Sequence, residues 1–238
     1  RAITTDDDGP GDPRALGRAA HRVLERWPRE RFGQDVAPDE LASLLAAEGL
    51  TATEAGRPAP GLAGFFGRPP AGRLAPPGFE LHREQEVLLR LDGDGETNLV
   101  LRGTIDAYAY DPTSKSIELF DYKLARRRPS PEPYAFQLRA YALALARRYP
   151  GCSVRAGIVF LLGGETSWLD PDERPFSSVE LARIERDLLT SANAFAKARA
   201  SDTYPGVEEA RCRKLSCGFL TACHRGPGTR GPGRRASR

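Results

Sequence analysis

Methionine is absent from the sequence, and only four of the 35 basic residues are lysines: Lys115, Lys123, Lys197 and Lys214. The chain also lacks a run of about 18 apolar residues and a signal-peptide pattern, so nothing in it indicates membrane insertion or export. It begins with Arg1 rather than methionine, and we therefore expect it to be a piece of a longer protein.

Cysteines are few. The chain has four of them, and without an export signal they favour metal ligands or free thiols over a disulfide framework. The length of 238 residues, with 40% hydrophobic and 28% charged residues, is typical of one globular domain with a sizeable core. The net charge of +3 permits nucleic-acid binding but does not argue for it.

A predicted β-hairpin carries the charged residues that stand out most. Two strand-like runs, 98–110 and 116–123, flank a turn-forming segment. Side chains alternate between the faces of a strand, so Asp121 and Lys123 share one face. Asp106 ends an apolar run on the first strand. Two carboxylates that converge beside an ammonium could hold a hard cation, which is a constellation for metal-assisted phosphodiester hydrolysis.

Lys123 is notable in a chain that otherwise uses arginine. A lysine between two candidate catalytic groups indicates a position that needs a compact ammonium rather than a planar guanidinium.

Four motifs together resemble the PD-(D/E)xK nuclease superfamily, and within it the nuclease domain of RecB/AddA-type helicase–nucleases. They are GRAAHRVLE at 17–25, GTID at 103–106, DYK at 121–123 and QLRAY at 137–141. The motifs follow the family's order, and the resemblance covers about residues 12–162.

The resemblance implies a metal site for Mg²⁺ or Mn²⁺. Asp106 and Asp121 would bind the ion with His21 and the backbone carbonyl of Tyr122, and Lys123 would act on the attacking water. Outside that family, a histidine in this position is more often an ordinary surface or partly buried helix residue.

Two glutamates are candidates for supporting roles. Glu25, one helical turn after His21, could orient the imidazole. Glu84 matches the acidic residue of a family strand motif, and it is expected either to contact the metal indirectly or to be simply solvated.

DNA contacts are expected near the site. Gln137 and Tyr141 lie on one helix face and match the family's Q-x-x-x-Y motif, which lines the site; the alternative is a packing tyrosine with an incidental glutamine. Arg126, Arg127 and Arg128 follow Lys123 directly. They would hold backbone phosphates or form a solvated loop.

The expected fold is α/β: a restriction-endonuclease-like mixed central sheet of four or five strands, flanked by helices on both faces. Residues 1–11 are expected to be a linker and 12–210 the nuclease domain, with a Gly/Pro-rich loop at 52–78. A Cys-rich segment, 211–224, and a disordered basic tail, 225–238, would follow.

The Cys-rich segment contains Cys212, Cys217 and Cys223. Some relatives hold an iron–sulfur cluster with three such cysteines and a fourth upstream of the His motif, but here no cysteine precedes His21. Cys152 or His224 could complete a four-ligand site for iron–sulfur or zinc. Free thiols are favoured, and Cys152 is not expected to join the C-terminal cysteines.

These features predict a metal-dependent deoxyribonuclease, and the resemblance implies the exonuclease domain of a helicase–nuclease in double-strand-break repair and recombination. The expected partners are DNA and a helicase domain or subunit, with no membrane, in the bacterial cytoplasm at the nucleoid. One alternative is a non-catalytic DNA-binding or scaffolding module derived from such a nuclease. A small Cys-based metal protein is opposed by the lack of any CxxC pair.

Overall fold

The computed structural model describes residues 12–93, 98–126, 132–201 and 208–214. These residues form five strands: β1 (Glu80–Asp92), β2 (Asn98–Asp111), β3 (Ser116–Lys123), β4 (Ser153–Phe160) and β5 (Glu165–Trp168). They also form eight α-helices: α1 (Pro13–Arg26), α2 (Pro38–Ala47), α3 (Ala52–Gly56), α4 (Ala59–Phe66), α5 (Pro69–Leu74), α6 (Glu132–Arg148), α7 (Ser178–Ala200) and α8 (Glu209–Lys214). The expected linker, the basic tail and most of the Cys-rich segment lie outside the described residues, and the domain limits stay a prediction.

The five strands form one mixed sheet in the order β1-β2-β3-β4-β5. β1, β2 and β3 are antiparallel neighbours, and so are β4 and β5. β3 and β4 run parallel, which requires the long crossover that α6 supplies. The hairpin and the mixed sheet predicted from the sequence are confirmed.

Helices cover both faces of the sheet. Phe120 and Tyr122 of β3 pack in the core formed with α1 to α5. Ile117 and Leu119 alternate with them and pack against α6 on the other face, and α7 packs outside α6. The expected α/β class with helices on both faces is therefore confirmed. Within the described residues, no helix is both long and apolar enough to cross a membrane.

The prediction of a loop over 52–78 was wrong, because α3, α4 and α5 occupy most of this segment. Four of its six prolines, at positions 58, 60, 69 and 70, stand at or near the starts of α4 and α5, where a missing N–H costs nothing. Gly61 of α4 packs closely against Leu162, which follows β4, and a Cβ at position 61 would lie 2.8 Å from Leu162 Cδ2. Proline and glycine here start helices and allow close packing, and Phe65 and Phe66 are fully buried.

The first helix ends at Arg26, and a separate 3₁₀ turn follows at Arg29–Arg31. Pro28 accounts for the stop, because a residue that precedes proline is driven out of the helical region, and Trp27 is extended with φ −61° and ψ 130°.

Candidate active site

The strand register aligns three carboxylates across the sheet. Arg83 of β1 pairs with Ala107 of β2, so the next position on each strand sets Glu84 opposite Asp106. Ala107 in turn pairs with Phe120 of β3, and the next position sets Asp106 opposite Asp121. Three adjacent strands thus contribute one acid each at the same level.

In β1 and β2 the regular alternation of side chains between the two sheet faces is interrupted at Glu84 and Asp106. Leu81 and Ala107 pack on the α1–α5 side, whereas Val87 and Ile105, also odd-numbered, pack on the α6 side. Glu84 has φ +44°, a left-handed conformation that costs a non-glycine residue about 1–2 kcal/mol. The inversion lies at Glu84 and Asp106, so regular alternation could not have predicted where their side chains point.

Helix α1 brings His21 to this row of acids. Its Nδ1 lies 3.6 Å from Glu84 Oε1 and 3.6 Å from Asp106 Oδ1. Its Nε2 lies 3.2 Å from the carbonyl oxygen of Tyr122. Ligand atoms of His21, Glu84 and Asp106 all lie within 4.8 Å of one another.

This donor set fits a divalent cation. Octahedral ligands at 2.0–2.1 Å from one ion lie roughly 3 Å apart at adjacent positions, so the observed separations need only small closing movements. Two carboxylates, a carbonyl and an imidazole suit Mg²⁺ or Mn²⁺.

Burial sets the charge state of the site. Asp106 and Asp121 are only 6% and 4% exposed. Burial raises the pKa of Asp106 to about 6, although His21 opposes this rise, and the charge of Asp121 adds to it. The Tyr122 N–H donates to Asp106 Oδ2 at 2.7 Å, which holds the carboxylate in place.

His21 shows the opposite balance. Burial by itself lowers its pKa, but the hydrogen bond with Glu84 and the charge of Asp106 outweigh burial, and the pKa is raised above 6.5. Without a cation, a proton on His21 offsets the neighbouring negative charge.

Lys123 and Asp121 form an ion pair between Nζ and Oδ2, as their shared strand face allows. The ammonium also lies 4.8 Å from the ring centroid of Tyr134 on α6. Lys123 is therefore held at the edge of the acid row by a carboxylate and an aromatic ring.

The Gln137–Tyr141 pair lies further along β2. Gln137 Nε2 donates to the Tyr141 hydroxyl at 3.2 Å, and both line a groove of about 170 Å³ between α6 and the β1–β2 strands. Gly103 permits this contact, since a Cβ there would lie 2.6 Å from the Tyr141 hydroxyl. Gln137 and Tyr141 are therefore not part of the group of candidate metal ligands.

The structure corrects the role expected of Glu25. Glu25 is exposed, and both ring nitrogens of His21 face other groups. Glu84 orients the imidazole instead, because it stands across the sheet edge rather than along the helix.

Sequence reasoning missed Arg83. Its guanidinium donates to the carbonyls of Leu24 and Trp27, which end α1. The strand that carries Glu84 is thereby tied to the helix that carries His21. An arginine beside the motif glutamate was visible in the sequence, but its target depends on the packing of α1.

Other candidates remain predictions. Arg126 is exposed just after β3, and Arg127 and Arg128 lie outside the described residues. Cys152 is a free cysteine of intermediate exposure, and Cys212 is buried on α8. Cys217 and Cys223 also lie outside the described residues.

A mixed α/β sheet with an Asp and an Asp-x-Lys motif on neighbouring strands, completed by a partly buried histidine, is typical of one class of nucleases. The profile of the PD-(D/E)XK nuclease superfamily matches residues 1–224, and the chain belongs to that superfamily. A search of curated proteins finds no match. Among solved structures, one described as a crystal structure of SSO0001 is 13% identical, with a TM-score of 0.37. That alignment covers 91% of this chain and 96% of the other, and it is too loose to carry an argument.

Proposed function

We propose that the protein is a Mg²⁺- or Mn²⁺-dependent deoxyribonuclease that hydrolyses phosphodiester bonds. The observation that carries the proposal is the row of Glu84, Asp106 and Asp121 with His21 at one end and Lys123 at the other. Membership of the superfamily supports the nuclease class.

Asp106 and Asp121 would hold the metal, with His21, the Tyr122 carbonyl and Glu84 as further ligands. When bound, the divalent ion polarises the scissile phosphate and lowers the pKa of a coordinated water. Asp106 must be ionised for this, and the neighbouring cation would favour the ionised form. The Tyr122 N–H then keeps the carboxylate aimed at the site.

Lys123 would act on the water and on the developing charge. An ammonium next to Asp121 can orient the attacking water through its hydrogens and stabilise the extra negative charge on the phosphorus oxygens. Its ion pair and its contact with Tyr134 reduce its freedom, so the group is preorganised.

The finer assignment is an exonuclease domain of a RecB/AddA-type helicase–nuclease that resects DNA ends during double-strand-break repair. The order of the four motifs supports it. Gln137, Tyr141 and the arginines 126–128 would hold the DNA, and a helicase domain or subunit would deliver it. A cytoplasmic, nucleoid-associated location would follow from that role.

The test is incubation with end-labelled linear and circular DNA, with and without Mg²⁺. Metal-dependent loss of linear DNA alone would support an exonuclease. Asp121→Asn should abolish cleavage, whereas Asp111→Asn, at the far end of β2, should not. Binding of DNA without cleavage by the parent protein would instead indicate the non-catalytic module.

A further inference from the structure

Helix α1 carries a row of arginines next to its metal-site histidine. Arg14, Arg18, Arg22 and Arg26 follow one another at intervals of four residues, and all four are exposed. We call them the arginine row. Residues four apart lie on one side of a helix, and each step rises about 6 Å, comparable to the separation of successive phosphates along an extended nucleic-acid strand.

The row flanks the candidate active site. With 3.6 residues per turn, Arg18 and Arg22 lie roughly 60° and 100° around the helix from His21, in the same direction. His21 points at Glu84 and Asp106, so the arginine row borders the cleft on its solvent side. A strand whose phosphate occupies the site can continue along α1.

The contacts of the row leave an excess of positive charge. Arg22 and Arg26 share the carboxylate of Glu48. Arg18 lies 3.9 Å from Asp12, with both side chains more than half exposed, which is a weak interaction. Exposed Glu25 lies on the same helix face, so four guanidiniums stand beside the carboxylates of Asp12, Glu25 and Glu48, and this face of α1 keeps a small net positive charge.

A notch adjoins the middle of the row. It has a volume of about 180 Å³ and lies between Arg18 and Arg22 on α1 and Glu48, Gly49 and Leu50 after α2. Two guanidiniums at one depression can take the oxygens of a phosphate in the paired geometry that arginine favours.

We infer that the arginine row binds successive backbone phosphates of the substrate strand beside the cleavage site. The inference rests on the proposed function and names the substrate contact on its α1 side. Arginine contacts to phosphates position a strand without reading its bases, so the row contributes affinity independent of sequence.

The test compares the Arg18→Gln/Arg22→Gln variant with the parent. Arg183→Gln/Arg186→Gln is the matched control, since these exposed arginines lie on α7, on the opposite face of the sheet. Binding of a labelled single-stranded oligonucleotide is followed by fluorescence anisotropy in EDTA between about 50 and 200 mM salt.

Each lost phosphate contact should reduce the salt slope by roughly 0.7, so two should reduce it by about 1.4 and weaken binding roughly 10–30-fold near 0.1 M salt. With Mg²⁺, KM should rise by a similar factor with kcat unchanged, and the α7 control should match the parent. Arg18→Lys should keep most of the affinity, because it retains the charge.

A parent that cleaves DNA while the α1 variant shows the same slope and KM would overturn the inference and leave the proposed function standing. A parent that neither binds nor cleaves would refute both. If the double variant unfolds, Arg18→Gln alone decides, since the ion pair of Arg18 with exposed Asp12 is weak.

Discussion

Replacing Asp106, which lies between Glu84 and Asp121 in the sheet, should make the metal-free protein more stable. Asp106 is 6% exposed, and at neutral pH its carboxylate is ionised although burial and the charge of Asp121 disfavour the ionised form. Asp106→Asn removes that charge and keeps an oxygen to accept the Tyr122 N–H, which now donates to Asp106 Oδ2 at 2.7 Å. We therefore expect a gain in stability together with loss of metal binding.

The rise in the pKa of Asp106 gives the magnitude. Burial moves this pKa from 3.8 to about 6, and at about 1.4 kcal/mol per pKa unit the ionised group costs the folded state about 3 kcal/mol at neutral pH. Between these two pH values the folded state binds more protons than the unfolded state, so the parent loses stability as pH rises through the interval. The variant lacks this loss.

Urea unfolding followed by tryptophan fluorescence measures the effect, because Trp27 and Trp168 are buried. Without metal, the variant should exceed the parent by about 3 kcal/mol at pH 8, and the difference should vanish near pH 4. Added Mg²⁺ should stabilise the parent and not the variant, since only a ligand-binding folded state gains from the ion.

Asp111→Asn is the matched control. The Asp111 carboxylate accepts hydrogen bonds from Ser114 and Thr113 that lower its pKa, so its removal should bring no gain at pH 8. A variant at position 106 that is less stable than the parent at pH 8 without metal would refute the reasoning, because the buried charge would then not be the dominant cost.

Other changes test the remaining parts of the site. Lys123→Ala should lower the cleavage rate by at least ~10³, about 4 kcal/mol of barrier, with an unchanged circular dichroism spectrum; near-parental activity would remove it from the mechanism. The affinity for Mg²⁺ measured by calorimetry should fall as pH drops below about 6, because a proton and the ion compete for Asp106; an affinity that is flat to pH 5 would contradict this. Glu84→Gly should relieve the φ of +44° and preserve stability while weakening Mg²⁺ binding measured by calorimetry. Gly103→Ala should destabilise the fold by about 1–3 kcal/mol, since its Cβ would lie 2.6 Å from the Tyr141 hydroxyl. Urea titration measures this change, and an unaffected midpoint would show that α6 shifts away at little cost. Purified protein should lack the broad visible absorbance of an iron–sulfur cluster, and a brown sample would reverse that expectation for Cys212 and its neighbours.

Local patterns alone were enough to predict the mixed sheet. Alternating apolar residues and a turn segment define the β2–β3 hairpin, and the Ser177–Glu180 capping box that starts α7 is a local signal as well. These features depend on residues close in sequence, whose hydrogen bonds and periodicity act before any distant contact forms.

The segment 52–78 shows where local signals failed. Its glycines and prolines are typical of loops, yet α3 to α5 form because Leu62, Phe65 and Phe66 are buried in the core with α1 and α2. Burial of large apolar side chains outweighs weak local propensity, and only the folded chain supplies the partner surfaces.

The candidate site also combines residues that the sequence predicts with contacts that only the tertiary structure shows. The sequence by itself predicted Asp106, Asp121 and Lys123 as site residues, because a hairpin fixes their spacing. Only the tertiary structure decided that Glu84 rather than Glu25 stands beside His21, and that Arg83 ties β1 to α1. The physical reason is that these contacts join a helix to strands about sixty residues away, through a backbone inversion at Glu84 that no sequence periodicity encodes.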